Sequence, residues 1–411
     1  MPESQTADLA FMRELNERIV LNLIRQEGSI SRAELARRSN LSRSTISSII
    51  NALIAADLVR ETGMGDSRGG RRPIMLEFNN QSRYVIGIEL ATTTLTVLLA
   101  DLAATIHRRA RRPLEVAAGP DACIPQVVDL VTAIIHKAGL PVEKILGVGV
   151  GVPGPLAYAT SRPIAPPVMP GWHDVPLRAL LEQALGLRVF VENDANLGAL
   201  AEHRWGAAQG WRNVAYVYLG SAGIGAGLIL DGRLYRGDIG SAGEIGHLIV
   251  DEDGPACRCG SCGCLEAVAG VPMLLERARA LGLPSGDIGA VIELAHAGDA
   301  RAATIISDAG ASLGIAISSM LNMINPGCVV LGGDLIAAGD VLLEPLRAII
   351  RRCGLAAVVE HVEIVPGALG DNVVPIGAVA LVVQQAFSAP SLVHLPDDID
   401  QGVIQEAGLA F

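Results

Sequence analysis

The sequence predicts an α/β protein in two parts: a winged helix-turn-helix over residues 1–80 and a larger α/β domain over residues 81–411. Three observations carry this. The first 80 residues read as three helices, then two strands around an arginine-bearing, glycine-rich tip. From Tyr84 onward, buried apolar strands alternate with helices, as in an α/β core. Between Gly243 and Glu266 the stretch GEIGHLIVDEDGPACRCGSCGCLE gathers a histidine and four of the seven cysteines.

Composition sets bounds on function. The chain is 50% apolar but only 3% aromatic, so Ala, Val, Leu and Ile must fill its cores. No uncharged apolar run reaches the ~18 residues of a membrane span. The first twenty residues lack a basic segment followed by an apolar one, so no signal peptide is expected and the cytoplasm is the expected compartment. The net charge of −11 argues against nucleic acid only when averaged over the chain. Residues 1–80 carry 11 Arg and 10 acids, net +1, while residues 81–411 carry 21 basic and 33 acidic residues, net −12. Within 31–72 there are 8 Arg against 4 acids, and a local basic face is all that phosphate contact needs.

Residues 8–27 have helical spacing, with Leu15, Ile19, Leu23 and Ile24 on one face. Gly28 ends that helix, and Ser31-Arg32-Ala33-Glu34 forms a capping box for a short helix from Arg32 to Ser39. After the turn at Asn40-Leu41, Ser42 caps a third helix to about Ala55, with Ile46, Ile49, Ile50 and Leu53 inward. Arg43, Ser44, Thr45 and Ser47 at its start suit insertion into a major groove. The segment GMGDSRGGRRP, followed by the strand-like Ile74–Phe78, reads as a wing whose tip offers Arg68, Arg71 and Arg72 to phosphates. A polar joint, Asn79 to Arg83, marks the domain boundary.

In the larger domain, VIGIEL and LTVLLADL read as a buried hairpin, 121–138 as a helix, and ILGVGVGVPGP as a strand entering a Gly-Pro loop. RVFVENDANLGALAEHRWG is a strand, a polar turn and a helix; INPGCVVLGGDL is another strand between loops. Glu192-Asn193-Asp194-Ala195-Asn196 places a carboxylate and a carboxamide together at a strand end. That pair suits sugar hydroxyls, but Asn193 or Asp194 equally suits a helix cap. Trp172 is open between covering a sugar face and packing in a core.

Cysteines this crowded in a chain without signs of secretion point to metal rather than disulfides. His247, Cys257, Cys259 and Cys264 fit one tetrahedral, structural Zn²⁺ per chain, with Cys262 as the alternative to His247.

The spacing His-x9-Cys-x-Cys-Gly-x-x-Gly-Cys-Leu-Glu, preceded by Gly-Glu-x-Gly, resembles the ROK family of bacterial sugar-responsive repressors and sugar kinases. The Gly-Gly-Arg-Arg-Pro wing, Gly-Val-Pro-Gly, Glu-Asn-Asp-Ala-Asn and the late Gly-Gly turn follow in the family's order across essentially the whole chain. The resemblance implies a two-lobed ribonuclease-H-like domain of the actin/hexokinase type, a zinc knuckle, and a sugar in the cleft. It matches Asn193, Asp194, Glu244, His247 and Glu266 to sugar contacts, and Asp194 to the catalytic base of the kinases. The family's first phosphate loop, Asp-x-Gly-Gly-Thr-Lys, reads Glu89-Leu90-Ala91-Thr92-Thr93-Thr94 here, and the second has Ala222 for threonine. Ala91, Thr92, Thr94 and Ala222 each remove a phosphate-holding feature, so no kinase activity is expected. The expected partners are operator DNA, a small sugar effector, and a second or further copies of the chain as a homodimer or homotetramer.

Overall fold

A computed structural model describes residues 3–64, 72–157, 160–164 and 168–388. Its contacts divide the chain into two units, separated between Ser82 and Arg83, within the polar joint. The last residues of the final helix, Val383–Ser388, group with the first unit, whereas the sequence reading assigned everything after residue 80 to the second.

The first unit holds helices Glu3–Glu27, Arg32–Ser39 and Arg43–Ala55. Ser31 and Ser42 cap the second and third, accepting from the backbone N–H of Glu34 at 3.2 Å and of Thr45 at 3.1 Å. Glu34 does not reach back to complete the capping box. Its carboxylate pairs with Arg37 and Arg38, which hold it down to about 2. The third helix buries Ile46, Ile49, Ile50 and Leu53. On the first helix, among the described residues, Val20, Leu21 and Ile24 are buried. Of the expected face, Ile24 is fully buried, Leu15 and Leu23 are half-buried and Ile19 is exposed, so the inward face is rotated in part from the expected one. Both stripes have helical spacing, and contact with the other two helices and with strand Ile74–Phe78 selects between them. The wing strands Val59–Met64 and Ile74–Phe78 pair antiparallel, and an unexpected third strand, Ser29–Ser31, joins the far side of Ile74–Phe78. Phe78 meets Phe387 edge to face at 5.6 Å, with the Arg25 guanidinium 4.2 Å above the Phe387 ring.

The second unit is built on two five-stranded sheets. The first runs, edge to edge, Val189–Asn193, Ile145–Val152, Tyr84–Leu90, Thr94–Asp101, Ile106–Pro113. The other runs Glu363–Pro366, Cys328–Gly332, Val214–Gly220, Gly223–Leu230, Arg233–Tyr235. In each, the first three strands are parallel and the last two antiparallel to their neighbours, so the two sheets have the same order and directions. This duplicated 3-2-1-4-5 arrangement is the two-lobed ribonuclease-H-like design. Each sheet packs its helices over its own apolar core. The alternating glycines of ILGVGVGV have a physical reason: a Cβ at Gly149 would collide with the backbone of Ala378, on the helix Val373–Ser388.

Among the described residues, the helix Ala300–Ile324 is long and apolar enough to cross a membrane. It is a core helix of the second lobe, with Ile305, Ile306, Leu313, Ile317 and Leu321 fully buried.

Candidate functional site

The strand Val189–Asn193 delivers the first site residues to the end of its sheet. There Asn193 caps the helix Asp194–Trp205, its Oδ1 accepting from the N–H of Asn196 at 3.2 Å. Its Nδ2 donates to the carbonyl of Gly154 at 3.0 Å, tying the cap to the Gly-Pro loop. Asp194 follows as the first helical residue, its Oδ1 accepting from the Ala195 N–H at 2.7 Å. Beneath them, buried Glu192 accepts from the Asn193 N–H and from Asn196 Nδ2, both at 3.0 Å, and its other oxygen takes Arg236 Nε at 2.6 Å. The sequence reading gave neither Glu192 nor Arg236 a role. The available signal was a lone carboxylate in an otherwise apolar strand.

Asn193, Asp194, Glu244, His247 and Glu266 all line one cavity, together with Gly154, Tyr218 and Gly223. Burial, with the nearby Glu244 carboxylate adding, pushes Asp194 up to about 7. Burial also raises Glu244, with Glu266 adding and His247 opposing. Tyr218 is raised by burial and by Glu89 and Asp194, so it stays a neutral hydroxyl. The cavity thus presents three carboxyl groups, the carboxamides of Asn193 and Asn196, an imidazole and a phenol. Such a set accepts and donates to several hydroxyls at once and disfavours an anion.

The knuckle stands behind this wall. His247 Nδ1 lies 3.7 Å from Cys257 Sγ, and Cys259 Sγ lies 3.6 Å from Cys264 Sγ. The four ligand atoms of His247, Cys257, Cys259 and Cys264 fall within 4.8 Å of one another. Tetrahedral zinc with bonds of about 2.0–2.3 Å needs separations of roughly 3.5–3.8 Å. Cys262 is exposed and lies outside the cluster. Burial and the neighbouring thiols push Cys264 up to about 12, while hydrogen bonding, first from the Ser261 backbone, holds Cys259 down to about 7.

A second, larger cavity of about 670 Å³ contains Glu89, Thr93, Ser221, Asp334 and Asp371. Its chemistry is acidic. Burial, then the Asp194 charge, pushes Glu89 up to about 7. The Ser221 backbone N–H is turned to the Asp334 carboxylate, and Arg111 stands 3.8 Å from Asp371. The turn Ala91–Thr94 is closed on itself, the Ala91 N–H donating to the Thr94 carbonyl at 2.9 Å.

Trp172 is fully buried in the first-lobe core, and its Nε1 donates to the Val116 carbonyl at 2.8 Å. It is packing, not a sugar cover. On the third helix of the N-terminal unit, Arg43 and Ser44 are exposed, but Thr45 and Ser47 are half-buried. Ser47 Oγ is spent on the Arg43 carbonyl at 2.9 Å. Ser48 and Asn51 lie outside the residues the sequence singles out, yet both are exposed with Ser44, and the spacing 44, 48, 51 marks one helix face. Arg72 is exposed at the base of the wing; Arg68 and Arg71 lie outside the described residues.

Residues 85–385 match the ROK family model. The chain belongs to the ROK family. Residues 13–60 match the winged helix-turn-helix DNA-binding model, so this ROK domain is preceded by a DNA-binding domain. The chain is 33% identical over 379 residues to the xylose repressor of Bacillus subtilis (strain 168), covering 92% of this chain and 97% of that one. It is 29% identical to the DNA-binding transcriptional dual regulator NagC of Escherichia coli (strain K12), covering 96% and 98%. Among solved structures, a ROK family transcriptional regulator, a homologue of the E. coli MLC protein, matches with a TM-score of 0.80 at 27% identity, covering 93% of this chain and 99% of that one. A ROK glucokinase from Streptomyces griseus, in complex with glucose and AMPPNP, matches with a TM-score of 0.63 at 29% identity, covering 73% and 99%. The ROK fold thus serves repressors and kinases alike, and the distinction must come from the site.

Proposed function

We propose that this protein is a transcriptional repressor whose affinity for operator DNA is set by a sugar bound through Asn193, Asp194, Glu244, His247 and Glu266. The convergence of these five side chains on one cavity carries the reading. It is supported by the winged helix-turn-helix match and by similarity over more than nine-tenths of the chain to proteins named as a xylose repressor and a DNA-binding transcriptional dual regulator. Arg43, Ser44, Thr45 and Ser47 with Arg68, Arg71 and Arg72 form the DNA face, and the operator is held by a homodimer or homotetramer in the cytoplasm. His247, Cys257, Cys259 and Cys264 hold one structural Zn²⁺. Such an ion supplies no reaction chemistry; it fixes the loop that carries Glu244, His247 and Glu266. His247 serves both sites, one ring nitrogen toward the thiols and the other free for a hydroxyl.

The alternative is an ATP-dependent sugar kinase with an accessory DNA-binding domain. One observation favours it: Asp194, poised near 7, is well placed in protonation to take a hydroxyl proton. The acid-lined neighbouring cavity, with its altered phosphate loops, argues against transfer. The deciding experiment is operator affinity with and without xylose, N-acetylglucosamine and glucose. A sugar that weakens the complex by about 5–150-fold, the usual range of coupling, fits the proposal. Indifference to every sugar tested, with ATP-dependent phosphorylation of one of them, replaces it with the kinase reading.

A further inference from the structure

The candidate sugar cavity has a neighbour on the far side of Glu266. A second hollow of about 140 Å³ shares Ala222, Gly223 and Glu266 with it and continues past the knuckle to Arg258, Met273 and Glu276. The partition between the two is thin for a definite reason. Gly223 sits at φ +144, and a Cβ there would lie 2.5 Å from Glu266 Oε2. Glu266 itself is half-buried, and its Oε2 makes only a long contact, 3.5 Å, with the Ile224 N–H. Its carboxylate therefore has accepting capacity facing both hollows.

The lining of the second hollow is amphipathic. Pro272, Met273 and Ala267 supply apolar surface, and Arg258 and Glu276 supply charge. Neither Arg258 nor Glu276 has an ion-pair or hydrogen-bond partner among the described residues. Arg258 stands between two knuckle ligands, Cys257 and Cys259, so an ordered knuckle fixes where its side chain starts. A sugar ring offers apolar C–H faces and an equatorial belt of hydroxyls, and this combination of floor and rim fits it.

We infer that the effector is an oligosaccharide: one ring lies in the cavity beside Asp194, and a second crosses Glu266 into the hollow bounded by Met273, Arg258 and Glu276. This rests on the proposed sugar site and narrows its ligand class. The test is calorimetric titration of the full chain with D-xylose, N-acetylglucosamine and D-glucose, and with the 1,4-linked disaccharides of each in both anomeric forms. The inference expects at least one disaccharide to bind tenfold or more tightly than its own monosaccharide. Met273→Trp, which fills the second hollow, and the double variant Arg258→Ala/Glu276→Ala should each erase that gain while leaving the monosaccharide affinity unchanged. Equal affinity for every matched pair, or a gain that survives both variants, overturns the inference and leaves the sugar site standing. Failure of all the sugars to bind overturns both.

Discussion

Asp194→Asn should make the apo protein more stable at neutral pH while abolishing its sugar response. The wild-type carboxyl is displaced from 3.8 to about 7, chiefly by burial. At 1.36 kcal/mol per pH unit, holding it ionised in the fold costs at most about 4 kcal/mol. The carboxyl opens onto the cavity, so solvent screening brings a realistic figure to roughly 1–3 kcal/mol. The sign follows from proton binding. The folded state keeps the proton up to about pH 7 and the unfolded chain releases it near its ordinary 3.8, so wild-type stability falls as pH rises through that window. Asparagine does not titrate, and its Oδ1 can keep the contact with the Ala195 N–H. Glu89, raised in part by Asp194, would also ionise more easily and add to the effect. Urea unfolding of both proteins from pH 4 to pH 8 measures this. The stability difference should be near zero at the acid end, grow through pH 5–7, and level off above. A difference that is flat with pH, or a variant less stable at pH 8, would refute the reasoning.

Elemental analysis should find about one Zn²⁺ per chain, lost in Cys259→Ser, where the larger domain should lose stability while the N-terminal domain stays folded. Removing Cys262 instead should leave the metal in place, because its side chain stands outside the cluster. Arg72→Ala should weaken binding to all DNA sequences and reduce the salt slope by about one phosphate contact, as measured by operator titrations across salt. Arg43→Ala should instead change which sequence is preferred. A coupled assay with ATP, Mg²⁺ and hexoses should show no turnover, where kinases typically reach about 1–100 per second.

The helix-turn-helix was legible because its signals are local: Ser31 and Ser42 cap where the sequence places caps, and the Ile46–Ile49–Ile50–Leu53 stripe is unambiguous. The first helix was harder, because the stripes Leu15-Ile19-Leu23-Ile24 and Val20-Leu21-Ile24 share Ile24, both fit a helical period, and only the partners decide between the rest. Ser29–Ser31 and Ile106–Pro113 escaped as strands for a related reason. One is very short, and the other is an arginine-rich edge strand whose exposed side chains carry no apolar alternation. The knuckle was visible because metal ligands need specific residue types at tight spacing. The Glu192–Arg236 pair was not, since its partners are 44 residues apart and only the fold joins them. For Trp172, composition could not separate a core from a ligand surface, and burial decides.

In the proposed reading, the two halves of the cleft differ in the sense a receptor requires. One cavity brings together a full set of hydroxyl partners, including Asp194, whose carboxyl is pushed up to about 7 by burial. The neighbouring cavity gathers Glu89, Asp334 and Asp371, and Ala91, Thr92 and Thr94 stand where the family resemblance expects the glycines and lysine of a phosphate loop. A kinase must stabilise charge on a transferring phosphoryl group, and a cluster of carboxylates opposes that. A receptor needs only a difference in sugar affinity between its DNA-competent state and another, and about 1–3 kcal/mol suffices. The Asp194 carboxyl can supply part of that difference. It is held against burial in the empty cavity, and a sugar hydroxyl donating to it relieves the unfavourable desolvation. A ligand therefore gains most in whichever state closes the cavity around that carboxyl, and operator DNA must be weakened by the same factor if it prefers the other state.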